Sequence, residues 1–80
     1  MVHTGPEEGD RLGRGSIHTV HERGRWVNKV EGGPYLAPLY RTKSEAVQAG
    51  RSEARLRRTE HVVHNVDGSI AEEHSYARRF

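Results

Sequence analysis

The chain has 80 residues, and 13 Lys and Arg against 11 Asp and Glu give a formal charge of +2 at pH 7. This length is enough for one small domain and excludes a second. The absence of cysteine excludes disulfides, thiolate nucleophiles and cysteine-ligated metals. No apolar run approaches the roughly 18 residues that span a bilayer, and the N-terminal segment lacks the apolar stretch of a signal peptide. We therefore expect a soluble cytoplasmic protein with no membrane partner.

The N-terminal segment, residues 1–15, is rich in glycine and charge. It holds four glycines, one proline and five charged side chains, so burial cannot offset the entropy lost on ordering it. We expect a flexible arm over residues 1–15, a single domain over residues 16–77 and a short basic tail over residues 78–80.

The next two segments predict a β-hairpin. β-Branched residues are frequent over residues 16–21, and residues 26–30 resemble them, with an Arg23-Gly24 turn between the two stretches. In this register one face carries Ile17, Thr19, His21, Trp26, Asn28 and Val30. The other face carries His18, Val20, Arg25, Val27 and Lys29. The face that contains Trp26 is the better candidate for the core.

A connector and a helix follow the hairpin. Two glycines and a proline at residues 32–34 predict the end of the second strand, and residues 35–41 are expected to cross the edge of the core as a connector. Thr42 and Glu45 form a capping box, which predicts the start of a helix. The helix should end near Arg58. Its buried stripe consists of small residues, on which we expect Trp26 to pack: Ala46, Val47, Gly50 and Ala54.

A second hairpin is predicted after the helix. Residues 61–64 have strand character, residues 65–68 signal a turn with Gly68 in the left-handed conformation, and residues 69–76 return as a strand. In this register one face carries Val62, His64, Ile70 and Tyr76, and the other carries Val63 and Ala71. The predicted fold is α+β, in the order β-β-α-β-β, with one helix packed on an antiparallel four-stranded sheet.

The order and spacing of these residues resemble a family of small bacterial proteins known as domain of unknown function 2188. The resemblance covers about residues 16–77 and rests on Trp26 to Gly32, Thr42-Lys43-x-Glu45-Ala46, Val62-Val63-His64, Asp67-Gly68 and Ser75-Tyr76. It implies a ββαββ unit with no established activity or cofactor. Four residues depart from the pattern that the resemblance leads us to expect: Asn28 stands in place of Val, Gly50 of Ala, Glu53 of Ile and His61 of Leu.

Six histidines raise the question of a metal site. His18-x-x-His21 and His61-x-x-His64 suggest ligands, but residues three apart on a strand point to opposite faces, so neither motif can chelate an ion by itself. A cross-strand pair such as His61 with His74 is an alternative. We expect titratable surface imidazoles and no metal.

Catalytic motifs are missing from the sequence. There is no nucleophile elbow, phosphate loop or His-Glu-x-x-His motif. Glu72 and Glu73 are adjacent on a strand and diverge, so they cannot form an acid/base pair. We expect a non-enzymatic protein without a cofactor or small-molecule substrate.

Arginine outnumbers lysine by 11 to 2, and guanidinium groups suit phosphate recognition. Six arginines at the helix end and tail form the candidate nucleic-acid site: Arg51, Arg55, Arg57, Arg58, Arg78 and Arg79. These predict an accessory nucleic-acid-binding module. The alternative is a solvated face on which Glu45, Glu53 and Glu60 supply counter-charges; high genomic GC content would also enrich arginine.

A protein-interaction module is the second functional hypothesis. One helix covers only one face of a sheet, so the open face is expected to expose Val20, Val27 and Val63. This face or a sheet edge could bind a protein partner or a second copy of the chain, giving a homodimer. A host-directed phage or stress factor belongs to the same class.

Overall fold

The computed structural model describes residues 15–77; most of the predicted arm and the basic tail lie outside them. The elements in chain order are β1 (Ile17–Glu22), β2 (Arg25–Val30), β3 (Tyr35–Tyr40), α1 (Lys43–Arg57), β4 (Glu60–His64) and β5 (Ile70–Ser75). The strands form one sheet in the order β3-β2-β1-β4-β5. The predicted α+β class is confirmed. The prediction of four antiparallel strands is wrong, because this sheet has five strands and β1 pairs with β4 in parallel.

The additional strand, β3, comes from the segment predicted as a connector. It pairs antiparallel with β2 and has an irregular register between Trp26 and Asn28. Pro38 lacks an amide proton, which argues against a central strand but is tolerated at an edge. Because β3 is an edge strand, a proline-containing segment can extend the sheet here.

The parallel pairing of β1 and β4 follows from β3. β3 and β1 are each antiparallel to β2, so they run in the same direction. A helix that crosses one face of a sheet returns the chain in its original direction. β4 therefore runs parallel to β1, with Ile17 beside His61 and Thr19 beside Val63.

Local signals set both ends of α1. The Thr42 hydroxyl accepts a hydrogen bond from the Glu45 amide at 3.2 Å and donates to Glu45 Oε1 at 3.0 Å. In a capping box the Glu45 carboxylate would accept from the Thr42 backbone amide. In the structure it accepts from the Thr42 hydroxyl instead. Arg58 ends the helix with a left-handed φ of 56° and donates its amide to the Ala54 and Arg55 carbonyl oxygens. Within residues 15–77, no helix has the length and apolar character needed to cross a membrane.

The core lies between α1 and strands β1, β2 and β4. Ala46, Gly50 and Ala54 are the buried helical residues, and the helix contacts every strand except β5. Trp26 is only 8% exposed, with the His21 ring 4.9 Å away and Lys43 Nζ 5.5 Å from its ring centre. The predicted burial of Trp26 is confirmed. The groups beneath Gly50 are the side chains of Thr19, Asn28 and His61, where we expected Trp26.

Both predicted turns form. Arg23 and Gly24 have positive φ angles between the paired residues Glu22 and Arg25, and Gly68 has a φ of 94°. The predicted face of Tyr76 is wrong. Val62 pairs with Glu73, so Tyr76, three residues further along, lies on the helix side of the sheet.

Candidate functional site

Three arginines at helical spacing lie on the solvent side of α1 and at its C-terminal cap. Arg51, Arg55 and Arg58 are all exposed, and we call them the arginine face. No carboxylate among residues 15–77 forms an ion pair with any of the three. The charge of these three guanidinium groups is therefore not paired with any described carboxylate.

The carboxylates expected to neutralise this face are arranged differently. Glu45 bonds the cap residue Thr42, and Glu60 is exposed without an ion pair to a described residue. Glu53 accepts a hydrogen bond from Arg57 Nε at 2.6 Å. Arg57 is thus held along the helix and is less available for a ligand than the arginine face. The spacing of four residues between Glu53 and Arg57 was the sequence signal for this pair.

The arginine face lies beside the edge strand β5. α1 does not contact β5, and every residue of β5 is exposed. The Arg55 guanidinium lies 6.0 Å from the centre of the Tyr76 ring. Glu72 also lies on this side of the sheet, where its Oε1 is 3.1 Å from His74 Nε2. The predicted site residues Arg78 and Arg79 lie outside the described residues.

The open sheet face differs from the predicted valine surface. Val63 lies on the helix side and is 2% exposed, because it pairs with Thr19. Val27 lies on the open face but is 3% exposed, and Val20 is half-buried. The expected exposure of Val27 and Val63 is therefore wrong.

Two exposed apolar residues of the open face belong to β3, the strand missing from the sequence prediction. Tyr35 and Leu39 are each 55% exposed. They line a hollow of about 480 Å³ together with Val27 and charged residues that include Glu22 and Arg25.

A buried polar cluster lies under the helix. Thr19 donates its hydroxyl proton to Asn28 Oδ1 at 2.5 Å, and Asn28 Nδ2 donates to the Ala46 carbonyl at 3.0 Å. His61 Nε2, 2.8 Å from the Thr19 hydroxyl, must therefore be the donor in that pair. His61 Nδ1 is buried without a hydrogen-bond partner among the described residues. Burial, followed by the nearby positive charge of Arg51, lowers the pKa of His61 to about 4, so the ring is neutral near pH 7.

A second histidine cluster lies on the open face. His18 Nδ1 and His64 Nε2 are 2.9 Å apart, and the two rings stack. His18 Nε2 lies 3.1 Å from Glu31 Oε1, and His64 Nδ1 lies 3.1 Å from the Gly68 carbonyl oxygen. Each His-x-x-His motif thus contributes one ring, an arrangement that requires β1 beside β4.

In the other histidine pair considered as a metal site, the Nε2 atoms have different partners. His61 and His74 are partners in register, but His61 Nε2 faces Thr19 and His74 Nε2 faces Glu72. Across residues 15–77, no group of three or more His, Asp or Glu side chains is arranged to hold a metal ion.

Comparison with known proteins relates the chain to a family. No curated protein and no solved structure matches the chain significantly. One family, described as "Uncharacterized protein conserved in bacteria (DUF2188)", matches residues 17–76. The match covers most of the chain and confirms the resemblance found in the sequence. The chain therefore belongs to the bacterial family DUF2188.

Proposed function

We propose that this chain is a small non-enzymatic module that binds nucleic-acid phosphates through Arg51, Arg55 and Arg58. The observation that supports this function is that all three guanidinium groups are exposed and none forms an ion pair with a described carboxylate. Guanidinium groups are always charged and match the geometry of phosphate oxygens. A row of them along one helix face suits the backbone of a nucleic acid.

The expected binding is weak and insensitive to sequence. No group of residues on the arginine face resembles a base-reading helix, so contacts to phosphates are expected to dominate. We therefore expect affinities of about micromolar or weaker, with the logarithm of affinity falling linearly with the logarithm of salt concentration.

The test is fluorescence anisotropy with duplex DNA and duplex RNA over a series of salt concentrations. Changing Arg51, Arg55 and Arg58 together to Gln should reduce the salt slope by about two to three units. The matched control changes Arg23, Arg25 and Arg41 to Gln. These three arginines are exposed outside the helix, so the control removes the same charge from another part of the surface. A control that weakens binding as much as the test variant, or wild-type protein that fails to bind at low salt, contradicts the proposal.

The second candidate function is self-association through the open sheet face. Exposed Tyr35 and Leu39 border a hollow that also carries Glu22 and Arg25. A surface with apolar groups and both charge signs can complement a second copy of itself around a twofold axis. Sedimentation at high salt tests this function: a dimer that Leu39→Lys dissociates supports it, and a monomer at every concentration contradicts it.

A further inference from the structure

His18 and His64 each use one ring nitrogen to bond an acceptor outside the pair. The Gly68 carbonyl oxygen can only accept, so His64 Nδ1 carries a proton and donates it. The Glu31 carboxylate likewise accepts from His18 Nε2. The two remaining nitrogens, His18 Nδ1 and His64 Nε2, face each other at 2.9 Å.

This arrangement matches the surroundings of metal-binding histidines. A histidine that ligates a metal usually donates its other ring N–H to a carboxylate or a backbone carbonyl, which orients the ring. His18 has such a carboxylate in Glu31, and His64 has such a carbonyl in Gly68. The other nitrogen of each ring is the one that contacts the neighbouring ring at 2.9 Å.

The separation of the nitrogens suits an ion after a small movement. Two nitrogens about 2.0–2.1 Å from a tetrahedral zinc ion lie about 3.3 Å apart. The nitrogens therefore need to separate by about 0.4 Å, and the rings need to turn so that both lone pairs point at the ion. Both rings line a hollow of about 440 Å³ that can admit water. Lys29 lines the same hollow, but its charge is balanced by Glu22 at 3.1 Å.

We propose that His18 Nδ1 and His64 Nε2 together bind a divalent transition-metal ion of the zinc class. Imidazole is a preferred ligand of such ions. Water completes the coordination, because no third described side chain is placed as a ligand. Glu31 and the Gly68 carbonyl act as positioning groups. The site is on the sheet face opposite α1 and is independent of the arginine face.

The test is titration with Zn²⁺ at pH 7.5, measured by calorimetry and by NMR of the histidine rings. His3, which lies outside the described residues, is changed to Gln in every protein so that it contributes no background. The protein that carries only His3→Gln should bind one ion, with NMR shifts at the ring nitrogens of His18 and His64. Each of His18→Gln and His64→Gln should weaken binding at least tenfold. His74→Gln, which changes an exposed histidine elsewhere, is the matched control and should leave the affinity within twofold.

Glu31→Gln separates this site from adventitious binding. Glu31 does not touch the ion, but loss of such a positioning carboxylate typically weakens metal affinity by 10–100-fold. Zn²⁺ binding that survives in the double variant His18→Gln/His64→Gln would overturn the proposal. Zn²⁺-induced NMR shifts that spare these two rings in the protein carrying only His3→Gln would also overturn it. That result does not depend on how the His18 and His64 variants fold.

Discussion

Gly50 of α1 lies directly over His61 of β4: a Cβ atom added to Gly50 would be 2.6 Å from His61 Nε2. The same atom would lie 2.5 Å from Asn28 Oδ1 and 2.7 Å from Thr19 Oγ1. Asn28, Gly50 and His61 are three of the four departures from the expected family pattern. In the structure they meet at one point in the core, so substitutions at these positions are expected to be coupled.

Gly50→Ala should destabilise the protein. Alanine usually stabilises a helix by about 1 kcal/mol relative to glycine, but here the new methyl group must displace polar atoms held in a buried network. Overpacking of this kind typically costs about 1–3 kcal/mol. Chemical denaturation should show a lower free energy of unfolding, and an increase would contradict the close contact.

The same substitution should be tolerated once the polar atoms are removed. The new methyl group of Gly50→Ala lies over the side chains at positions 19, 28 and 61. In the double variant Asn28→Val/His61→Leu, two of these three side chains are apolar. The cost of Gly50→Ala should be smaller in this background than in the wild type, measured as the coupling energy of a mutant cycle. Equal costs in the two backgrounds would show that the three positions are independent.

Acid should destabilise the fold through His61. Its pKa is lowered from 6.5 to about 4 in the folded protein, so below pH 6.5 the unfolded chain takes up a proton that the folded chain resists. Stability therefore falls as the pH drops from about 6.5 to about 4, by about 3 kcal/mol for this group.

Comparison with His61→Leu isolates this effect. Denaturation of both proteins from pH 7.5 to pH 4 cancels the contributions of carboxylates and the other histidines. The stability of the wild type relative to the variant should rise with pH across this window. Parallel profiles for the two proteins would show that His61 titrates equally in the folded and unfolded states.

Trp26→Ala should remove most of the stability. Truncation of a buried tryptophan typically costs about 3–5 kcal/mol, and a domain of this size is stable by only about 5 kcal/mol. The matched control is Tyr35→Ala, an exposed aromatic on the neighbouring strand, which should cost less than about 1 kcal/mol. Wild-type fluorescence typical of a tryptophan in water would contradict the burial of Trp26.

Thr42→Ala should destabilise the helix start. Its hydroxyl bonds both the amide and the side chain of Glu45, and loss of an N-cap residue costs about 1 kcal/mol. Ser44→Ala is the control, since Ser44 is exposed in the first turn. A shift of melting temperature confined to Thr42→Ala is expected, and equal shifts for both variants would contradict a specific cap.

The elements that the sequence alone determined depend on short stretches of chain. The Arg23-Gly24 turn, the Thr42 cap and the Gly68 turn each form through groups within four residues of one another. The exposure of Arg51 and Arg55 follows equally from helical periodicity, since neither falls on the buried stripe of Ala46, Gly50 and Ala54. A pattern of local spacing is sufficient for such features.

Only the tertiary structure decided which distant segments meet. The pairing of β1 with β4 joins His18 to His64, residues 46 positions apart. This pairing depends on β3, the proline-containing edge strand. Because β3 runs antiparallel to β2, the chain enters the helix from the opposite end of the sheet to the one where β2 ends. The contact of Gly50 with His61 likewise requires the helix to cross this particular pair of strands. Strand order follows from the packing energy of the whole sheet and helix. No local spacing of residues in the sequence encodes that energy.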